Sequence, residues 1–428
     1  MEPVTVGNLE QVSFDKTWSL SMYPELLMHS VHSYPAKFPA LIATKAIDFA
    51  REEKVSLGKI ADVFCGCGTV PLEAKIHGID FWGTDINPVA TLIARAKSQN
   101  YNVKKLENYL QKICSALDSS DIRAHNYLSS NERIQYWFTL DAFEELDKLL
   151  QSIYLNVPKE DNVYRDAFLC VFSSILKMCS RWLMKSIKPQ VDPSKKQYSP
   201  LHIFKRNARR FIDAVKEINT EVLDNGYSPR IDIEQTNFLT RIKPPMVDLI
   251  VSSPPYVTSY EYADLHQLSS LWLGYTDDYR SLRKGSVGSS YGCDSKEIES
   301  VTLNETAVNL ITRLQKAKVQ PAKVRAIERY YKDMQVTVAK CFSMLNDNGM
   351  VLFVIGDTEY KGVQVTNASQ LVESMEQTGF TDLKACKRTI SQKLLTPYRD
   401  DMGRFTSNKQ KRAIYHEEFV ISARKYAA

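Results

Sequence analysis

Short apolar runs alternate with amphipathic stretches along most of the 428-residue chain. Lys59-Ile60-Ala61-Asp62-Val63-Phe64 reads as a strand, and Pro71 to Ile76 as a helix that ends near Gly78. Asp80 to Asp85 reads as a second strand and Pro88 to Ser98 as the next helix. Arg230 to Ile233 and Val247 to Val251 supply a third and a fourth strand. Met350 to Ile355 supplies a fifth, after a helix over roughly Tyr330 to Leu345. Leu371 to Gln377 is helical up to Gly379, and Leu383 to Ile390 pairs with Glu418 to Ala423 to close the sheet. This alternation predicts an α/β fold with a doubly wound, mostly parallel, seven-stranded Rossmann-like sheet.

Two regions break the alternation. Residues 106–225 are mostly helical in period, and residues 280–323 are polar, with Gly285, Gly288 and Gly292, before turning helical. Both exceed ordinary loop lengths, so they are read as functional insertions. The chain then divides into residues 1–105, a helical insertion over 106–225, and residues 226–428, the last with its own polar insertion.

Composition narrows the class only modestly. A hydrophobic share of 44% and a charged share of 25% are those of an ordinary globular protein. The net charge of +5 permits a nucleic-acid partner without demanding one. No run of about 18 apolar residues is present, so no membrane span is expected. Met1-Glu2-Pro3-Val4 lacks the charged start and apolar core of a signal peptide. Eight cysteines without framework spacing suit a reducing cytosol. Cys65 and Cys67 have no second Cys/His pair nearby, so they are read as core-lining thiols and no metal site is expected.

The first candidate chemistry lies in "DVFCGCGTVPLEA". Gly66 and Gly68 stand between a strand and a helix, where open α/β sheets bind nucleotide-type ligands. Glycines there let the backbone approach a ligand closely. The third glycine of the dinucleotide fingerprint is replaced by Pro71, which disfavours nicotinamide cofactors and fits a first helical turn. Asp85 ends the second strand, where a carboxylate can accept from both ribose hydroxyls of an adenosine-containing cofactor. The plainer alternative is a tight turn with Asp85 capping the next helix. Asp62 either joins this site or is structural.

The second candidate lies in "VSSPPYVTSY". Two prolines fix φ near about −65° and push the residues before them out of the helical region. The step holds the Ser253 hydroxyl and the Pro254 carbonyl in one direction. Both are acceptors, and two convergent acceptors suit an amine with two hydrogens. Tyr256 offers a flat ring for stacking a planar base. An exocyclic base amine is a poor nucleophile because its lone pair is delocalised. Two acceptors localise that pair and stabilise the charge that develops on nitrogen as it attacks a methyl donor. The alternative is a rigid turn with Tyr256 as core filler.

"DVFCGCGT", "TDIN" and "SSPPY" together resemble the amino-group DNA methyltransferases that use S-adenosylmethionine. "HSVHSYPAKFPALIA", His29 to Ala43, is similar to the cofactor segment of the cytosine-N4 branch, His-x-Tyr-Pro-Ala-Lys-Phe. The resemblance implies a catalytic step of Ser253, Pro254, Pro255 and Tyr256. It implies a cofactor site of Tyr34, Lys37, Phe38, Asp62, Phe64, Gly66, Gly68, Thr69, Asp85, Ile86 and Asn237. Lys37 and Phe38 would line the methionine or adenine end. Asn237 stands where such enzymes often carry an Asp near the adenine. Gly356 and Asp357 in "VLFVIGDT" also match, with Asp357 either walling the pocket or capping a loop. Serine at position 253 favours cytosine N4, whereas Asp or Asn there would favour adenine N6.

The resemblance further implies double-stranded DNA as partner, a base flipped out of the stack, a cytosolic location and a separate cognate restriction endonuclease. Lys177, Arg181, Lys185, Lys188, Lys195, Lys196, Lys205, Arg206, Arg209, Arg210 and Lys216 form a run with only Asp192 and Asp213 as acids, which either contacts phosphates or is a solvated helix face. A second basic stretch holds Arg399, Arg404, Lys409, Lys411 and Arg412. The slot at 106–225 is the candidate target-recognition region, with 280–323 competing through Ser286, Ser289, Ser290 and Tyr291. The rivals are an adenine-N6 or RNA base-amine methyltransferase, and a cofactor-bound DNA-binding protein without turnover.

Overall fold

The computed structural model describes residues 1–19, 25–35, 37–118, 122, 130–196, 198–222, 227–257, 261–287, 296–390, 408 and 417–426. In chain order, the two-residue strand β1 (Glu2–Pro3) precedes α1 (Ala40–Glu52), β2 (Lys59–Asp62), α2 (Thr69–Ile76), β3 (Asp80–Asp85) and α3 (Pro88–Ser98). Helices α4 (Val103–Asp118), α5 (Glu132–Trp137), α6 (Leu140–Asn156), α7 (Asn162–Cys179) and α8 (Pro200–Val222) follow. The chain returns to the sheet with β4 (Ile231–Gln235) and β5 (Val247–Ser252), then runs through α9 (Tyr262–Leu265), α10 (Gln267–Trp272), α11 (Lys296–Glu299), α12 (Glu305–Lys316) and α13 (Pro321–Met344). It ends with β6 (Leu345–Ile355), the hairpin β7 (Thr358–Tyr360) and β8 (Val363–Val365), α14 (Asn367–Thr378), β9 (Thr381–Thr389) and β10 (Glu417–Arg424).

The main sheet has the order β1-β9-β10-β6-β5-β2-β3-β4. Strands β4, β3, β2, β5 and β6 are parallel, and β10 runs antiparallel between β6 and β9. All seven expected strands are present, so the doubly wound α/β sheet stands. The eighth, β1, pairs Glu2 with Ala385 and Pro3 with Lys384 at the sheet edge. Two residues carry no readable alternation, and an edge is where a strand proline is tolerated. The chain leaves β2 outward to β3 and β4, then returns to β5 on the other flank of β2. That reversal opens a crevice at the carboxyl ends of β2 and β5.

The core follows from strand alternation. Ile60, Leu249, Val251, Leu352 and Val354 face α1 and α2, whereas Ala61, Val247, Ile250, Val351 and Phe353 face α12, α13 and α14. Burial on both faces explains why β5 and β6 read as unbroken apolar runs. The apolar faces of α4 and α6–α8 share a third core with α3 and α10. The segment 106–225 therefore packs directly on the helix that follows β3. No helix among the described residues is long and apolar enough to cross a membrane.

Candidate active site

A cleft of about 2630 Å³ lies over the carboxyl ends of β2, β3 and β5. Pockets for a single small ligand occupy roughly 300–1,000 Å³. This cleft therefore has room for a nucleoside-sized cofactor and a second substrate. Of the fifteen candidate residues, all but Gly68 line it.

The glycine turn explains that exception. Gly66 and Gly68 both have positive φ, +51° and +77°. A Cβ built on Gly68 would sit 2.6 Å from Ala94 Cα. Gly68 is thus required by close packing of the turn on α3, not by approach to a ligand. A Cβ on Gly66 would meet only ordinary van der Waals contacts, with Tyr34 Cε1 nearest at 3.8 Å. Its amide donates to Asp85 Oδ2 at 2.9 Å, and the Asn87 amide donates to Asp85 Oδ1 at 2.8 Å. Asp85 therefore holds the turn while each oxygen keeps a lone pair for a ligand. Burial pushes its carboxyl up to about 6, against these two hydrogen bonds. Capping falls to Asn87, whose side chain accepts from Val89 and Ala90.

Asp62 ends β2 and is buried. Its Oδ1 accepts from Ser252 Oγ at 2.6 Å and from the Phe64 amide at 3.0 Å. Burial pushes this carboxyl up to about 7.

The segment before α1 forms the opposite wall. His29 Nε2 meets Glu73 Oε1 at 2.7 Å, and Thr44 Oγ1 donates to Glu73 Oε2 at 2.6 Å, so a buried acid on α2 anchors the segment. Thr69 lines the cleft, but its hydroxyl donates to the Phe38 carbonyl at 2.9 Å and serves the same anchoring. Lys37 pairs with Glu25 and donates to the His29 carbonyl at 3.4 Å. Tyr34 stacks on His266 at 4.9 Å, with Tyr262 near-parallel at 6.4 Å. Asn237 is tied to the polar insertion, its Nδ2 donating to the Gly285 carbonyl at 3.0 Å. Gly285 has φ +83°, and a Cβ there would press on Ile86 Cδ1 at 3.2 Å. The start of the insertion, around Gly285, thus lies against the Ile86 and Asn237 end of the cleft.

The proline step sits across from the turn. Ser253 Oγ donates to the Val354 carbonyl at 3.1 Å. Its single proton is thereby committed to β6, which leaves its lone pairs as acceptors. The Pro254 carbonyl accepts no hydrogen bond among the described residues. Tyr256 donates to Glu418 Oε1 at 2.6 Å, and Glu418 is paired in turn with Arg388. Burial, then the nearby Glu418 carboxylate, hold the Tyr256 phenol well above its ordinary range. Asp357 lies off the cleft, and its Oδ1 accepts from the Ala368 amide at 2.9 Å in the first turn of α14, so it caps a helix. Among the described residues no cluster of His, Cys, Asp or Glu is placed to hold a metal.

Several contributors were not legible in the sequence. Glu418 and Arg388 lie more than 130 residues from Tyr256, and only the antiparallel β9–β10 pair brings them to it. His266 and Tyr262 lie in α10's approach and carry no motif. Of the first basic run, Lys177, Lys185 and Lys188 line the cleft. Lys177 and Lys195 spend their ammonium groups on backbone carbonyls, and Lys216 pairs with Glu107 at 3.0 Å. Lys205, Arg206, Arg209 and Arg210 border a separate, smaller depression. Ser286 lines the cleft; Gly288, Ser289, Ser290, Tyr291 and Gly292 lie outside the described residues, as do Arg399, Arg404, Lys409, Lys411 and Arg412.

No protein-family model matches the chain. It is similar to the Type II methyltransferase M.MvaI of Kocuria varians, 28% identical over 271 residues that take in 58% of each protein. It is 22% identical to the Type II methyltransferase M.MjaII of Methanocaldococcus jannaschii over 60% of this chain and 65% of that one. It is 23% identical to the Type II methyltransferase M.AvaI of a Nostoc species over 77% of this chain and 74% of that one. The matches to the first two span less than two thirds of those relatives. The proteins it is similar to here are Type II methyltransferases, the class that its motifs resemble.

Proposed function

We propose that this protein transfers a methyl group from S-adenosylmethionine to the exocyclic N4 amine of a cytosine flipped out of duplex DNA. The observation that carries the reading is the orientation of Ser253. Its hydroxyl proton points to the Val354 carbonyl, so the oxygen faces the cleft as an acceptor. The Pro254 carbonyl supplies the second acceptor. Two acceptors fit the two hydrogens of a base amine and draw its lone pair out of conjugation.

The residues present fit the cofactor. Gly66 leaves backbone exposed beside Tyr34, and Asp85 keeps acceptor capacity for ribose hydroxyls. Asp85, Gly66, Phe64 and Ile86 would hold the nucleoside, with Tyr34, Lys37 and Phe38 towards the methionine end. When bound, S-adenosylmethionine supplies an electrophilic methyl group on a sulfonium. Ser253 and Pro254 orient the amine, and Tyr256, fixed by Glu418, offers its ring to the flipped base. No side chain is needed as a covalent nucleophile.

Duplex DNA as substrate is supported by a cleft larger than the cofactor needs and by exposed cations at its rim, including Lys185 and Lys188. Residues 106–225 supply that rim and act as the target-recognition region. Serine rather than Asp or Asn before the prolines favours cytosine over adenine. A separate endonuclease that cuts the same unmethylated sequence is the fitting partner, and both act in the cytosol.

The test is mass spectrometry of nucleosides from DNA and RNA after reaction with methyl-labelled cofactor. Label in N4-methylcytosine is the expected result, lost in Ser253→Ala while cofactor binding persists. Label confined to N6-methyladenine, or to RNA, sinks the cytosine assignment.

A further inference from the structure

We propose that the hairpin of residues 181–192 opens the target base pair, with Met184 as the wedge that takes the place of the flipped base. The proposal rests on the DNA-methylation reading and names the element that prepares its substrate.

The segment after α7 folds back on itself. Trp182 and Val191 form an antiparallel bridge, the Leu183 amide donates to the Gln190 carbonyl at 2.8 Å, and the Asp192 amide donates to the Arg181 carbonyl at 2.8 Å. The base of the hairpin is braced. Trp182 is buried and stacks on Trp137 at 5.0 Å with 22° between the rings. Lys177 Nζ donates to the carbonyls of Met184 at 3.2 Å and Ser186 at 2.9 Å. Lys195 Nζ donates to the carbonyls of Lys177 at 2.6 Å and Trp182 at 2.7 Å. Burial holds both ammonium groups below their ordinary range, Lys195 at about 8. Two partly desolvated cations committed to backbone carbonyls make this a stiff finger.

The tip has a composition that stability does not explain. Met184 is 47% exposed, and Lys185 and Lys188 on either side of the turn pair with no carboxylate among the described residues. The tip lines the same cleft as Ser253 and Pro254. An apolar side chain on a stiff finger, flanked by free ammonium groups, matches a duplex step. The cations meet phosphates, and the thioether enters the stack, as apolar wedges do when they part base steps. Extrusion of a paired base is uphill, and filling the vacated space opposes its return.

The experiment compares wild type, Met184→Gly and a Lys185→Ala/Lys188→Ala double variant, each first checked for unchanged melting and cofactor binding. Two substrates carry the sequence found methylated in DNA from cells expressing the protein: a fully paired duplex, and the same duplex with the target base opposite an abasic position. Met184→Gly is expected to lose about tenfold or more in kcat/KM on the paired duplex and to regain wild-type rate, within about twofold, on the abasic one, where little unpairing is left to do. The double variant is expected to bind both duplexes more weakly, with a salt slope lower by about 2. Equal losses of Met184→Gly on both substrates, or none on either, overturn the proposal. A wild-type protein that methylates RNA or no nucleic acid at all overturns the DNA reading itself, and this is read before any variant is compared.

Discussion

Asp62 Oδ1 accepts a hydrogen bond from Ser252 Oγ at 2.6 Å, which ties the last residue of β2 to the last residue of β5. Ser252 precedes Ser253, so this buried bond sets where the proline step begins. Ser252→Ala leaves Asp62 Oδ1 with the Phe64 amide alone. The expected cost is about 1–3 kcal/mol in urea unfolding, with a fall in kcat larger than any change in cofactor affinity. Unchanged stability would show that the bond does not hold the two strand ends in register.

The same carboxyl makes stability depend on pH. Burial raises Asp62 to about 7 from an ordinary value of 3.8. A carboxyl whose folded pKa lies above its unfolded one leaves the folded state holding more protons, so stability falls as pH rises between the two values. The cofactor-free protein is therefore expected to melt at progressively lower temperature from about pH 4 to about pH 7, where Asp62 titrates. Asp62→Asn keeps an acceptor for Ser252 and Phe64 and should lessen that slope, the remainder coming from buried Asp333 and Asp357, which burial also raises to about 7. A slope equal to wild type removes Asp62 as its source.

Asp85 answers to pH in ligand binding. Its carboxyl lies at about 6, and ribose hydroxyls need its oxygens as acceptors. Affinity for S-adenosylmethionine is expected to weaken as pH falls below about 6, approaching tenfold per unit. Asp85→Ala should weaken binding by about tenfold or more at pH 8 and lose the pH dependence. Calorimetric titration across pH 5 to 8 reads both.

Tyr256 separates its ring from its hydroxyl. Tyr256→Phe loses only the bond to Glu418 and should slow methyl transfer about fivefold, the weight of roughly 1 kcal/mol. Tyr256→Ala loses the stacking face as well, worth about 1–3 kcal/mol, and should slow it by a further factor of up to about a hundred. Glu418→Ala removes the acceptor of the Tyr256 hydroxyl and should resemble Tyr256→Phe. Equal rates for the Phe and Ala variants would show that the ring does not meet the base.

The two glycines of the turn should behave differently. Gly68→Ala meets Ala94 Cα at 2.6 Å in addition to its left-handed backbone, so the expected result is loss of folded protein in expression and melting assays. Gly66→Ala has room for its methyl and strains only the backbone, at about 1–3 kcal/mol. It should fold, with weaker cofactor binding as the main defect.

Much of this molecule was legible in the residues alone, and for one reason: the signals were local. Apolar runs announced β5 and β6, and the alternation of strand and helix patterns announced β2 and β3. The glycine turn, the acid ending β3 and the Ser253-Pro254-Pro255-Tyr256 step each signal themselves within a few residues, where backbone restriction acts. What tertiary structure alone decided is pairing across distance. That Gly68 serves α3, that Asp62 holds Ser252, and that Ser253 donates to Val354 depend on which strands lie side by side. That Glu418 and Arg388 hold Tyr256 depends on the antiparallel β10. That Lys177 and Lys195 brace a hairpin, while Lys185 and Lys188 pair with no carboxylate among the described residues, depends on where each side chain finds a carbonyl. A row of like charges in the sequence does not distinguish a cation already spent on the fold from one left over for a phosphate, because that difference is made only when the chain closes on itself.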